Sequence, residues 1–170
     1  TLASRFSGGK PWDYDIEKPG YNYRLDEIRA SLGINQIKKV KKMNLLRKKA
    51  ADYYNKKLAD IDGVIVPDKS ISLEHAHHLY IIRIARKYGI TRDILFQKLL
   101  KKGIRTSVHY KPLHKFTIFK KMAKTIDSLS NSKDAYTQIL SLPIYPSISK
   151  KQQDIVISNI EKYGAEQNIC

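Results

Sequence analysis

A chain of 170 residues with 42% hydrophobic and 28% charged residues is long enough for one domain with a hydrophobic core and too apolar for a disordered one. Its formal net charge of +16 at pH 7 brings polyanion binding into consideration, while no stretch approaches the roughly 18 to 20 apolar residues of a membrane-spanning helix. One cysteine, Cys170, excludes an internal disulfide; with no basic segment leading into an apolar run after Thr1, this predicts a cytoplasmic protein cut from something longer.

In chain order, Thr1 to Tyr23 mixes turn formers (Gly8-Gly9, Pro11, Pro19-Gly20) with Phe6, Trp12, Tyr14, Tyr21 and Tyr23, which predicts an ordered, irregular arm. Five aromatic rings are costly to leave in water, so the arm is expected to pack against something, a second subunit being one candidate. From Leu25 to Ile61, the apolar positions Leu25, Ile28, Leu32, Ile37, Val40, Met43, Leu46, Ala50, Tyr54, Leu58 and Ile61 recur at the helical period. Gly33 and Asn35 are weak helix formers that allow a bend or a close helix contact, and Asp62-Gly63 supplies the stop.

Val64 to Val66 and Leu79 to Ile84 read as strands, rich in β-branched residues. Thr91 caps a helix through Leu100 that ends in Lys101-Lys102-Gly103. Another strand is expected at Ile104 to Tyr110, helices at 116–124 and 133–140, a short strand at 142–145 and a last helix at 150–163. The expected class is α+β: a long helix plus a small, mostly antiparallel sheet covered by helices.

Of the five histidines, His75, His77 and His78 form one group and His109 and His114 another. Adjacent residues of a strand face opposite ways, so His77 and His78 cannot share a metal, and no metal site is expected. Dinucleotide, P-loop and nucleophile-elbow motifs are absent, Gly8-Gly9-Lys10 reads as a turn, and no lysine stands in the apolar setting that Schiff-base chemistry needs. The lysines, spread from Lys10 to Lys162, suit a solvated surface more than one nucleic-acid groove.

Four blocks stand above this background. Gly20-Tyr21-Asn22-Tyr23-Arg24-Leu25-Asp26-Glu27-Ile28 runs on into Ala30-Ser31-Leu32-Gly33-Ile34-Asn35-Gln36-Ile37. His77-His78-Leu79-Tyr80, Gly103 to His114 and Leu140 to Pro146 follow in order. Together they resemble the DegT/DnrJ/EryC1/StrS family of pyridoxal-phosphate sugar-nucleotide aminotransferases. The resemblance implies the small C-terminal domain of a fold-type I transferase over 25–165 and a subunit-crossing arm over 1–24. It places the lysine-bearing cofactor domain outside this chain, so no catalytic residue is expected within it.

Asn22 matches the asparagine that reaches the cofactor phosphate of the neighbouring subunit in a homodimer; a plain helix-entry turn is its alternative. Arg24 would assist an anion or merely be a surface charge. His109, Tyr110 and Lys111 match a block beside the sugar-nucleotide pocket, or else form a strand end packed on a helix. Trp12 and Tyr14 resemble the arm that reaches the partner's active site. The implied reaction moves an amino group from an amino acid, usually glutamate, to a keto-sugar nucleotide in the cytoplasm. A basic nucleic-acid module and a purely structural dimerisation domain stand as alternatives.

Overall fold

The computed structural model of the protein describes residues 21, 23–68, 75–122 and 128–166. Helix α1 (Glu27–Leu58) is followed by β1 (Val64–Ile65), β2 (Tyr80–Ile84), α2 (Arg92–Lys101), α3 (Thr117–Met122), α4 (Ser130–Gln138), β3 (Ile139–Leu142) and α5 (Lys150–Ala165). The chain divides into two units, Thr1–Lys38 and Lys39–Cys170.

The described part of the first unit is the run into α1 and its opening turns. Asp26 accepts a 2.8 Å hydrogen bond from the Arg29 N–H, so a carboxylate meets the positive end of the helix. The helix continues unbroken through Gly33 and Asn35, and a methyl group built on Gly33 would meet nothing within 4 Å. Leu25, Ile28, Leu32 and Ile37, periodic in the sequence, are all exposed.

The second unit holds the core. The order β1-β2-β3 makes a wholly antiparallel sheet, with Val64 opposite Ile84, Tyr80 opposite Leu142 and Ile82 opposite Leu140. Period-two alternation turns Tyr80, Ile82, Ile84, Leu140 and Leu142 inward. Onto that face pack Tyr54 and Leu58 of α1, Leu95 and Leu99 of α2, and Val156, Ile157 and Ile160 of α5. Each such aliphatic side chain contributes about 1.5–3 kcal/mol on burial. The Gln153 amide donates 2.9 Å to the Ala50 carbonyl, fastening α5 to α1 through a buried polar contact.

The helix signals act as expected at two places: Thr91 Oγ1 accepts from the Ile94 N–H, and Gly103 takes φ 75° just after α2. Four expectations are corrected. Ile104 to Tyr110 is not a strand but makes one bridge, Ser107 to Ser141. The last strand lies at Ile139–Leu142, earlier than 142–145, because Pro143 lacks the N–H needed to extend the ladder. The helix before it accordingly ends at Gln138. His77 precedes the strand, with φ 46°, so the opposite-face argument for His77 and His78 does not apply.

Candidate functional site

The bridge between Ser107 and Ser141 fixes where the segment after α2 leaves the sheet. Ser107 N–H donates to the Ser141 carbonyl at 3.1 Å, and Ser141 N–H returns the bond at 2.8 Å. Ser141 is buried, and its Oγ shares a 2.8 Å hydrogen bond with Nδ1 of His109. The imidazole is thereby held by the outer face of β3, and the Tyr110 ring stands edge-on to it at 4.7 Å. Tyr110 itself is 70% exposed.

Beyond His109 the chain lines a cleft of about 440 Å³. One wall is Tyr110, Lys111 and Leu113; the other is Ser132, Ala135 and Tyr136 of α4, with Ile139 opening β3. The spacing 132, 135, 136, 139 is one helical face, which is how α4 presents a continuous wall. Lys115 Nζ lies 4.6 Å from the Tyr136 ring centroid and the Arg92 guanidinium carbon 5.5 Å from it. Lys111 Nζ lies 5.0 Å from the Phe116 ring. The Arg92 side chain is buried, donates to the Ile139 carbonyl at 2.8 Å and pairs with Asp93 at 2.7 Å, so it also anchors the start of β3.

This cleft has aromatic and aliphatic walls with cations around them. Such a surface suits a ligand that combines a flat or hydroxylated body with negative charge. It brings Tyr110 and Lys111 together and sets His109 behind them. Tyr136, Lys115 and Arg92 were not singled out in the sequence. The face shared by Ser132, Ala135 and Tyr136 was the available signal for Tyr136, whereas nothing local marked Arg92 or Lys115.

Asn22, Trp12 and Tyr14 lie outside the described residues. Arg24 is exposed ahead of α1, and the flanking Tyr21 and Tyr23 rings stack at 5.5 Å. Among the described residues no group of three His, Cys, Asp or Glu side chains could hold a metal ion. None of the described helices is long and apolar enough to cross a membrane.

Comparison with known proteins agrees with this architecture. The chain is 34% identical over 161 residues to the spore coat polysaccharide biosynthesis protein SpsC of Bacillus subtilis, covering 92% of this chain and 41% of that protein. It is 33% identical over 158 residues to the UDP-4-amino-4,6-dideoxy-N-acetyl-beta-L-altrosamine transaminase of Campylobacter jejuni, covering 89% and 41%. Among solved structures, Spr1654 of Streptococcus pneumoniae in its PLP form superposes with a TM-score of 0.78 at 28% identity, covering 91% of this chain and 40% of that one. The chain thus spans about two fifths of the length of the relatives it matches. With residues 4–161 matched by the family's model, the chain belongs to the DegT/DnrJ/EryC1/StrS aminotransferase family.

Proposed function

We propose that this chain is the small-domain part of a pyridoxal-phosphate-dependent aminotransferase acting on a keto-sugar nucleotide, with an arm over 1–24 and a domain over 25–165. The observation that supports it most is the cleft below Tyr110 and Lys111, one wall of which comes from the block whose resemblance to the family implies a place beside the sugar-nucleotide pocket. Tyr110 and Tyr136 would bound the sugar-nucleotide, and Lys111 with Lys115 would face its pyrophosphate oxygens. His109, held at Nδ1 by Ser141, would keep Nε2 available for a sugar hydroxyl.

The cofactor, when bound, supplies the electron sink for moving the amino group from an amino acid such as glutamate. In this chain the donor chemistry that fits its phosphate is the Arg24 guanidinium just ahead of α1. Asn22 would add an amide donor that leaves the cofactor's charge undisturbed. These two would serve the neighbouring subunit of a homodimer, and Trp12 and Tyr14 would reach toward its substrate. The lysine that carries the cofactor would come from a domain outside this chain, in a cytoplasmic enzyme.

The test is a titration of the chain with UDP and dTDP, followed by amide chemical shifts. Saturable shifts centred on Tyr110, Lys111 and Tyr136 are expected, and no transamination of glutamate with added cofactor. Absence of shifts in that cleft, or turnover by the chain alone, would count against the reading.

A further inference from the structure

A second cavity, of about 330 Å³, opens where the end of α2 meets the start of α5. It shares no lining residue with the cleft below Tyr110. Its floor is apolar: Ile104 and Val156 are buried, while Ile155, 47% exposed, stands at the opening. At the rim are Lys102 and Arg105, neither of which has an ion-pair or hydrogen-bond partner for its side chain among the described residues.

Helix α5 begins beside this cavity, with Ser149 as its cap and Gln152 closing a capping box. The first turn of a helix carries positive partial charge and ordinarily favours Asp or Glu, yet α5 has no acidic residue there and opens with Lys150-Lys151. Lys102 and Arg105 add to the same sign from the α2 side. Of these cations Lys102 and Arg105 line the cavity, so its rim carries two positive charges that an anion would meet together. An apolar floor beneath a cationic rim selects a ligand with both characters.

We propose that this cavity is a binding site for a small amphipathic carboxylate: an apolar body over Ile104, Val156 and Ile155, with its carboxylate between Lys102 and Arg105. Its volume is that of about eleven liquid waters, enough for a ring or short chain plus the carboxylate. The site is independent of the sugar-nucleotide cleft, so it would modulate or locate the protein rather than take part in amino transfer.

The experiment uses the 170-residue chain, with 3-phenylpropionate as the probe and its neutral isostere 3-phenylpropionamide as the control, followed by amide chemical shifts. Saturable shifts centred on Gly103, Ile104 and Ile155 are expected, with the amide weaker by about tenfold or more because the charge-assisted bonds are lost. Arg105→Gln should weaken the carboxylate and leave the amide unchanged. Ile155→Asp, at a half-exposed position that the core does not need, should abolish both with the rest of the spectrum intact. Equal affinity for the two probes, no saturable shift, or shifts centred on Tyr110 and Tyr136 would each overturn the proposal.

Discussion

The Tyr80 hydroxyl donates a 2.7 Å hydrogen bond to Oδ1 of Asn55, joining the first residue of β2 to the last turns of α1 inside the core. The Tyr80 ring also stacks on Tyr54 at 5.0 Å, and Tyr54 in turn donates to the Pro143 carbonyl at 3.1 Å. Two phenols thus link helix, strand and the residue just after β3, one through a buried and one through a part-buried hydrogen bond.

Tyr80→Phe keeps the ring and removes the donor, leaving the Asn55 oxygen buried without its partner. We expect a loss of about 1–3 kcal/mol in unfolding free energy. Urea denaturation checks it: the midpoint should fall with the slope unchanged. The double change Tyr80→Phe with Asn55→Leu, which removes both partners, should recover part of that loss, and no recovery would mean that the bond is not what holds the pair.

Gly63 and Gly103 offer a matched comparison, with φ of 77° and 75°. A methyl on Gly63 would lie 2.2 Å from the Tyr88 backbone nitrogen, whereas one on Gly103 meets nothing within 4 Å. Gly103→Ala should cost only the left-handed backbone penalty of about 1–2 kcal/mol. Gly63→Ala must also displace Tyr88, whose hydroxyl donates to the Ile160 carbonyl, so it should cost more than Gly103→Ala by at least about 1 kcal/mol. Thermal unfolding of the two variants side by side decides it; equal losses would deny the close approach.

The phenols of Tyr54, Tyr80 and Tyr88 are all raised above their ordinary value of 10.0, chiefly by burial. A group whose folded-state pKa is raised contributes stability that is full below the unfolded value and is lost as the pH climbs through the folded one. Stability should therefore begin to decline above about pH 10, as the unfolded chain starts to release phenolic protons that the folded chain keeps. Tyrosinate absorbance should show these three groups ionising only with unfolding.

Ser149 caps α5 reciprocally: its Oγ accepts from the Gln152 N–H at 3.2 Å and its own N–H donates to the Gln152 side chain at 2.9 Å. Ser149→Ala should cost about 1 kcal/mol, and Ser149→Asp should restore it or exceed the parent, since a carboxylate also opposes Lys150 and Lys151. Circular dichroism during denaturation gives both numbers.

In the proposed sugar-nucleotide cleft, Tyr136→Ala should remove one wall and the ring beside Lys115. Binding of UDP or dTDP, measured by calorimetry, should weaken by about tenfold, in line with loss of a buried aromatic contact. Lys111→Ala should weaken it too, with a shallower dependence on salt. Affinity unchanged in both variants would remove the cleft from the substrate path.

The sequence alone was enough for the class of fold, the order of α1, β2, α2 and α5, and the family, because these rest on local signals: periodicity, the Thr91 cap, the Gly103 stop and four ordered blocks. It also drew attention to His109, Tyr110 and Lys111. It could not separate Ile139–Leu142 from a helix end, since Ile139 and Leu140 continue an apolar pattern until their partners across β2 are known. Nor could it find Arg92, Lys115 and Tyr136, which gather from separate segments. Tertiary structure alone decided that Tyr54, Tyr80 and Leu58 are buried while Leu25, Ile28 and Leu32 stay exposed. Periodicity reports which side of a helix is apolar, whereas burial depends on what lies opposite, and that is a property of the folded chain.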